Sequence, residues 1–278
     1  MAQVLYSSQR AQYDISPGQE VTVTHTTPFS WTSSSISHVG LVRRINEDSC
    51  LDRPERGIWA VADGMGGHTL GDVASGAVVD ALDRLAPPDN LDSFIADARA
   101  CLQAVNHRLR EEAIKRSAQI IGSTAVVLLA CGRRCAYLWA GDSRIYLCRN
   151  GHLMQLSRDH SQVEELLAFG GLSAEAAIHH PARNLITRAV GAADALDVDS
   201  EAIEVADGDV FLLCSDGISN EVSEQEIRGA LVTGDCRQAA SELVDIALAR
   251  GGRDNISAVV ARADDLNSND KTVLNPAL

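Results

Sequence analysis

The spacing of hydrophobic positions changes several times along the chain, and each change predicts a new element. Short apolar runs at Gly57–Gly64 and Asp209–Gly217 predict buried strands, and each run ends in Asp-Gly, a dipeptide typical of turns. Apolar side chains at three- and four-residue steps predict amphipathic helices over Asp72–Ala86 and Leu91–Arg116. The first third of the chain therefore predicts a strand followed by two helices.

The middle of the chain has a shorter period that predicts consecutive strands over Ser123–Cys131, Cys135–Asp142 and Arg144–Arg149. Asn150-Gly151 follows them, and it predicts a tight hairpin because both central positions of such a turn take positive φ. The remaining pattern predicts three helices and a last strand, over His160–Phe169, Val222–Leu231, Cys236–Arg250 and Asn255–Ala263.

The order of these elements predicts a single α+β domain over about residues 35–263. Strands joined by hairpins form antiparallel sheets, and amphipathic helices cover the outer faces of such sheets. The polar residues 1–34 predict an extended or partly disordered arm, in which Val21–His25 alternates as a strand would. Residues 264–278 predict a loose polar tail.

The composition excludes several classes of function. The 278 residues include 24 Lys and Arg against 38 Asp and Glu, a net charge of −14. This charge disfavours binding to nucleic acids and to anionic membrane surfaces, since both need clustered cations. No apolar stretch approaches the roughly 18 residues of a membrane-spanning helix. The seven cysteines include no C-x-x-C pair, and together these features predict a protein of the reducing cytoplasm.

Four aspartates lie at the ends of apolar strands: Asp63, Asp142, Asp216 and Asp254. Carboxylates that converge at the edge of a core repel one another unless a cation joins them. Mg²⁺ and Mn²⁺ prefer such oxygen ligands, and Gly64 leaves its carbonyl free to face an ion. A single Asp-Gly is more often a turn than a ligand, so only the combination indicates a metal site.

A cationic group for phosphate is the second chemical feature. Arg43 offers a planar guanidinium that matches phosphate oxygens, and Glu47 and Asp48 follow it closely. Taken alone, the pair Arg43-Arg44 is more typical of a solvated surface. Arg43 together with the four aspartates favours cleavage of a phosphate ester at a metal site.

Eight short motifs occur in an order that resembles a known family. They are R-x-x-N-E-D at Arg43–Asp48, DGMGGH at Asp63–His68, GSTA at Gly122–Ala125, GDSR at Gly141–Arg144, DHS at Asp159–Ser161, ITRAVG at Ile186–Gly191, SDG at Ser215–Gly217 and DN at Asp254–Asn255. The chain resembles the metal-dependent type 2C protein Ser/Thr phosphatases, the PPM family, in their compact bacterial form. The motifs extend over about residues 36–263, nearly the whole predicted domain.

The resemblance implies a central antiparallel β-sandwich flanked by helices on both faces, with two metal ions at one end. By motif position, Asp63 would bridge the ions and the Gly64 carbonyl would bind one of them. Asp216 and Asp254 would complete the other site, and Asp142 would help to hold a weaker third ion. Residues 161–184 match the variable flap beside the active site.

The resemblance also implies roles for three catalytic residues. Arg43 would bind the substrate phosphate, Glu47 would act through a metal-bound water, and Asp48 would orient water from behind the metal ligands. Some eukaryotic members carry a His directly after the Asp-Gly as the proposed general acid, but this chain has Met65 there. The identity of the general acid is therefore left open, and no role is assigned to His68.

The implied activity is hydrolysis of phosphoserine and phosphothreonine in proteins, by a water that two Mn²⁺ or Mg²⁺ ions activate. The implied partners are phosphorylated proteins and an opposing bacterial Ser/Thr kinase, and the expected state is a cytoplasmic monomer. A narrower hypothesis restricts the activity to one regulatory protein. The alternative is a regulatory module that binds phosphoproteins with little or no turnover. That alternative predicts loss of a metal aspartate or of the arginine, and the sequence retains all of them.

Overall fold

Two antiparallel sheets pack face to face at the centre of the protein, with helices on both outer faces. The computed structural model describes residues 28–66, 70–118, 120–173, 176–177, 180–182 and 185–266. The strands are β1 (Phe29–His38), β2 (Asp48–Arg53), β3 (Ile58–Gly66), β4 (Ile121–Ser123), β5 (Ala125–Cys131), β6 (Arg134–Ala140), β7 (Arg144–Arg149), β8 (His152–Gln155), β9 (Asp199–Glu204), β10 (Val210–Cys214) and β11 (Ile256–Asp265). The helices are α1 (Gly71–Leu82), α2 (Leu91–Arg116), α3 (Gln162–Ala168), α4 (Asp216–Ser219), α5 (Glu224–Thr233) and α6 (Cys236–Ala249).

The strands form two sheets, which pack against each other as a sandwich. One sheet has the order β1-β11-β10-β7-β8, and the other has the order β2-β3-β5-β6-β9, with β4 paired to β3. Between them lies an apolar layer that includes Trp59, Phe211 and Leu128. Helices α1 and α2 cover the outer face of the second sheet, and α5 and α6 cover that of the first. The predicted α+β sandwich with helices on both faces is confirmed.

The strands that sequence patterning missed lie at sheet edges. Residues 29–34, which the sequence assigned to an extended or partly disordered arm, belong to β1 and pair with β11. At the other end, the first two residues assigned to the tail are the last two of β11, which continues to Asp265. Strands β2 and β9 are edges as well, and an edge strand with a solvated face carries only a weak apolar pattern. The predicted strand Val21–His25 lies outside the described residues.

Two dipeptides predicted as turns had opposite outcomes. Asn150 and Gly151 have φ of 52° and 75°, and they join β7 to β8 in the predicted hairpin. Asp63-Gly64, in contrast, does not turn: β3 continues to Gly66 and pairs with β4. The pairing partner supplies hydrogen bonds that keep the chain extended, so Asp63 lies inside a strand rather than at its end.

Two features of the described residues relate to the predicted cytoplasmic location: the state of the cysteines and the apolar content of the helices. All seven cysteines are placed, and all are free thiols, four of them buried. Within the same described ranges, no helix combines the length and the apolar content that a membrane crossing needs.

An ion pair at the end of the sandwich gives a first test of the fold. Asp209 is fully buried and accepts hydrogen bonds from Arg149 Nε at 2.8 Å and Nη2 at 2.7 Å, and from the Ala206 N–H. Asp209→Ala leaves these donors without their acceptor, so we expect a loss of about 3 kcal/mol in the free energy of unfolding. Urea denaturation at pH 7 measures this loss. Asp245→Ala, on the exposed face of α6, is the matched control, and an equal effect of both variants would contradict the prediction.

Candidate metal centre

Five aspartates meet at one end of the sandwich. Asp48 begins β2 directly opposite Asp63 in β3. Asp216 follows β10, Asp254 precedes β11, and Asp142 lies between β6 and β7. These strands are antiparallel neighbours within their sheets, so the ends that carry the aspartates fall on the same side. The fold therefore brings together the four aspartates at the strand ends and Asp48, which the family resemblance placed behind the metal ligands.

Asp63 lies at the centre of this group and is held by its backbone. Its N–H donates to Thr124 Oγ1 at 2.9 Å, and its carbonyl accepts from the Thr124 N–H and from Ser123 Oγ. Burial raises the pKa of the Asp63 carboxyl well above its usual range, and the charges of the other four aspartates raise it further. Thr124 and Ser123 belong to the GSTA motif, and the sequence analysis assigned neither residue an individual role.

Asp48 is buried behind Asp63. Ser215 Oγ donates to Asp48 Oδ2 at 2.7 Å, whereas the buried Oδ1 has no hydrogen-bond partner. Burial raises the pKa of Asp48 to about 7, although hydrogen bonds from Ser257 and Ser215 act in the opposite direction. An unpartnered carboxylate oxygen is costly in a protein interior, and it marks a position where a donor or a cation is missing.

Asp216 and Asp142 are two further carboxyls of this group whose pKa is raised. Burial, and next the charge of Asp254, raises the pKa of Asp216 to about 6, and its buried Oδ1 is also unpartnered. Burial raises the pKa of Asp142 to about 7, with further contributions from Asp216 and Asp159. Both carboxyls therefore lie where a bound cation would be stabilised.

Arg43 provides the one cation in direct contact with these aspartates among the described residues. Its Nη2 lies 2.7 Å from Asp254 Oδ2, and about half of its side chain is exposed. Burial alone would lower the pKa of Arg43, but Asp254, Asp216 and Asp63 raise it overall. A charged guanidinium thus sits at the mouth of the acidic site, where an anion from solution can reach it.

Asn255 anchors the loop that carries Arg43. Its Oδ1 accepts from the Glu47 N–H at 2.8 Å, and its Nδ2 donates to the carbonyls of Val39 and Ile45. These bonds hold both ends of the loop against the start of β11. The sequence analysis named Asn255 only as part of a motif, because a structural role of this kind depends on residues about two hundred positions away.

Glu47 and the Gly64 carbonyl face the same small space. Glu47 Oε1 accepts from the Gly71 N–H at 3.1 Å, and the Gly64 N–H donates to the Glu47 carbonyl at 3.0 Å. A β-carbon at position 71 would lie 2.5 Å from Glu47 Oε1 and 2.7 Å from the Gly64 carbonyl oxygen. Gly71, which the sequence analysis did not single out, therefore leaves open a cradle lined by two oxygens.

The chemistry of these residues fits hard divalent cations. The donors are carboxylate and carbonyl oxygens, which Mg²⁺ and Mn²⁺ prefer, and two of the buried oxygens lack partners. Within the described ranges, however, no three Asp, Glu, His or Cys side chains are arranged to hold an ion by themselves. Asp254 is bonded to Arg43 instead, and Asp216 Oδ2 accepts a hydrogen bond from Asn220 Nδ2 at 3.1 Å. The side chains thus share one site without forming a closed ligand shell.

Two further predictions concern residues beside the metal centre, namely Met65 and the flap. Met65 lies in β3 opposite Gly122, and it offers no proton to a leaving group; His68 lies outside the described residues. The predicted flap begins with α3, where the N-cap residue Ser161 accepts a hydrogen bond from the Glu164 N–H. Just before it, buried His160 accepts from the Gly141 N–H and contacts Asp199, which supports the loop that carries Asp142.

Comparison with known proteins identifies the family that has this arrangement. The sequence profile described as Protein phosphatase 2C matches residues 42–258, which is most of the chain. The chain therefore belongs to the protein phosphatase 2C family, as the motifs predicted.

Several bacterial proteins are similar to this chain over most of its length. The serine/threonine protein phosphatase PstP of Mycobacterium tuberculosis is 37% identical over 227 residues, which cover 81% of this chain and 44% of PstP. The chain thus spans less than half the length of that relative. The protein phosphatase PhpP of Streptococcus pneumoniae is 34% identical over 84% of this chain and 97% of PhpP.

Solved structures of such proteins have the same fold. PppA of Pseudomonas aeruginosa, described as a key regulatory component of T6SS, superposes with a TM-score of 0.79 at 45% identity, covering 84% of this chain and 97% of PppA. The catalytic domain of PstP, solved in complex with two manganese ions, superposes with a TM-score of 0.77 at 34% identity, covering 85% of this chain and all of that domain.

Proposed function

We propose that this chain is a metal-dependent phosphatase that hydrolyses phosphoserine and phosphothreonine in proteins. The observation that carries the proposal is the convergence of five aspartates beside a half-exposed arginine. Membership of the protein phosphatase 2C family supports it, as do the names of the relatives. A site rich in carboxylates cannot attract a phosphate unless cations reverse its charge, so the activity requires metal.

The proposed ligands are Asp63, the Gly64 carbonyl, Asp216 and Asp254, which together would hold two Mn²⁺ or Mg²⁺ ions. Asp142, with Asp216, would hold a weaker third. Bound divalent cations supply positive charge to phosphoryl oxygens and lower the pKa of water. The two manganese ions in the PstP catalytic domain support the number of ions in this proposal.

The proposed role of Arg43 is to bind the substrate phosphate. Its guanidinium now bonds Asp254 and is half exposed, so it can exchange one anionic partner for another. A guanidinium binds two phosphate oxygens through parallel hydrogen bonds and stabilises the charge that develops on them. Arg43 therefore both orients the phosphoryl group and leaves Asp254 free when it does so.

Asp48 and Glu47 are proposed to orient the attacking water. Ser215 holds one oxygen of Asp48, so its unpartnered Oδ1 is fixed in direction and available to accept from water. In the reaction, the water oxygen forms a bond to phosphorus while the bond to the Ser or Thr oxygen breaks. That leaving oxygen takes up a proton, which Met65 cannot supply.

The cellular part of the proposal follows from the relatives. We expect a cytoplasmic monomer in a bacterial signalling system, with phosphoproteins as substrates and a Ser/Thr kinase as the opposing enzyme. The 45% identity with PppA favours regulation of T6SS as the context.

Removal of metal tests the proposal directly. Phosphate release from a phosphothreonine peptide is expected with Mn²⁺ or Mg²⁺ and is expected to stop in excess EDTA, because Arg43 alone cannot offset five carboxylates. Unfolding curves in each buffer check that the protein stays folded. Release that persists in EDTA would overturn the metal requirement. No release by folded, metal-loaded protein would favour the phosphoprotein-binding module instead.

A further inference from the structure

Three exposed apolar side chains lie on the loop that carries Arg43. Leu41, Val42 and Ile45 expose 66%, 65% and 42% of their surface, and we name them the apolar rim. Single apolar residues on a protein surface need no explanation, but clustered ones mark interaction sites. The apolar rim brackets Arg43 on both sides within five consecutive residues.

The loop presents these side chains in a defined arrangement. The Leu41 N–H donates to the Gly252 carbonyl at 2.7 Å, and the Ile45 carbonyl accepts from Asn255 Nδ2 at 3.0 Å. Gly40 packs so closely on the chain that a β-carbon there would lie 2.2 Å from the Asp254 carbonyl oxygen. These contacts hold the backbone on both sides of Arg43, and with the backbone so placed the three apolar side chains are exposed.

We propose that the apolar rim binds apolar side chains that flank the phosphorylated residue of the substrate. This inference rests on the proposed function, since a phosphate bound to Arg43 brings its polypeptide across the rim. Consecutive residues of an extended chain are about 3.3–3.6 Å apart, and Leu41 and Val42 lie within two residues of Arg43, so we expect the neighbours of the phosphorylated residue to contact the rim. The substrate class is therefore a phosphopeptide with Leu, Ile, Val or Met next to the phosphorylated Ser or Thr.

Charge favours the same class over acidic substrates. The protein has a net charge of −14, and acidic flanks would be repelled from the mouth of an acidic site. Apolar flanks carry no such penalty, and they gain free energy when they cover the exposed rim.

The experiment compares three substrates with the full chain in Mn²⁺. Two phosphothreonine peptides of equal charge differ only in their flanks, which are Leu and Val in one and Ser in the other. The third substrate is p-nitrophenyl phosphate, which is too small to reach the rim. The test variant is Leu41→Ser/Val42→Ser. The control is Val232→Ser, at a 52% exposed apolar position on α5.

The apolar peptide is expected to have a kcat/KM about tenfold higher than the polar peptide, through a lower KM. The rim variant is expected to lose this preference and to keep its activity on p-nitrophenyl phosphate, whereas Val232→Ser keeps both. Unfolding curves of both variants show whether they fold as the wild type does.

Several results would overturn the inference. Equal KM values for the two peptides, or a preference that survives in the rim variant, would show that the rim does not bind substrate. A rim variant that changes only the oligomeric state would show that a second copy covers the rim. Absence of turnover with all three substrates would overturn the proposed function, and the inference with it.

Discussion

Replacing Asp63 with asparagine is expected to lower the metal-dependent phosphatase activity by at least about 10³-fold. Asp63 is the centre of the group, because the charges of Asp48, Asp142, Asp216 and Asp254 all raise its pKa. In the proposed site it is the ligand that both ions share. An amide has the same shape but carries no charge, so the variant tests the charge rather than the packing.

Initial rates with the phosphothreonine peptide, at several Mn²⁺ concentrations, measure the effect of Asp63→Asn. Asp80→Asn is the matched control, since Asp80 is exposed on α1 and pairs with Arg84 at the surface. Asp63→Asn is expected to fold, because the Thr124 and Ser123 bonds hold its backbone and not its carboxyl. Near-normal activity of the folded variant would show that the proposed metal centre is wrong.

The metal-free protein is expected to lose stability as the pH rises from about 5 to about 7. Aspartates in the unfolded chain titrate near pH 3.9. In the folded protein, burial raises the pKa of Asp48 and Asp142 to about 7 and that of Asp216 to about 6. Over this window the folded protein holds protons that the unfolded chain has released, so the free energy of unfolding falls as the pH rises.

Urea denaturation in EDTA, at half-unit steps of pH, measures this slope. Each proton held in excess by the folded state contributes about 1.4 kcal/mol per pH unit. Asp48→Asn and Asp142→Asn each remove one such group and are expected to flatten the curve, whereas Asp80→Asn leaves it unchanged. Mn²⁺ is expected to flatten it as well, since bound cations stabilise the ionised carboxylates. Stability that is constant or increases over this range in EDTA would contradict the prediction.

Local patterning predicted the inner elements well. Helix α2 has the bounds that its apolar spacing predicted, because the periodic stripe is long and Asn90 caps its first turn. Strands β3, β5 and β10 bury both faces, and their apolar runs are correspondingly continuous. The edge strands β1, β2 and β9 gave no such signal, because the partner strand, rather than their own composition, keeps them extended.

The residues of the candidate site were also predicted only in part. The sequence pointed to Arg43 and to the aspartates, because carboxylates at the ends of apolar runs are visible along the chain. It named the groups that hold them only as members of motifs and assigned them no role: Thr124 behind Asp63, Ser215 behind Asp48, and Asn255 behind the Arg43 loop. Those bonds join residues 61, 167 and 208 positions apart, so no local pattern contains them.

The sequence by itself determined the class of fold, the family resemblance and the identity of the acidic and cationic residues, since these depend on residue type and local spacing. The tertiary structure alone decided that Asp48 pairs directly with Asp63 across β2 and β3, that Asp254 bonds Arg43, and that Leu41 and Val42 remain exposed beside it. The physical reason is that charge repulsion, burial and hydrogen bonding act between neighbours in space. The pairing of the strands, and not their order in the chain, determines which neighbours meet.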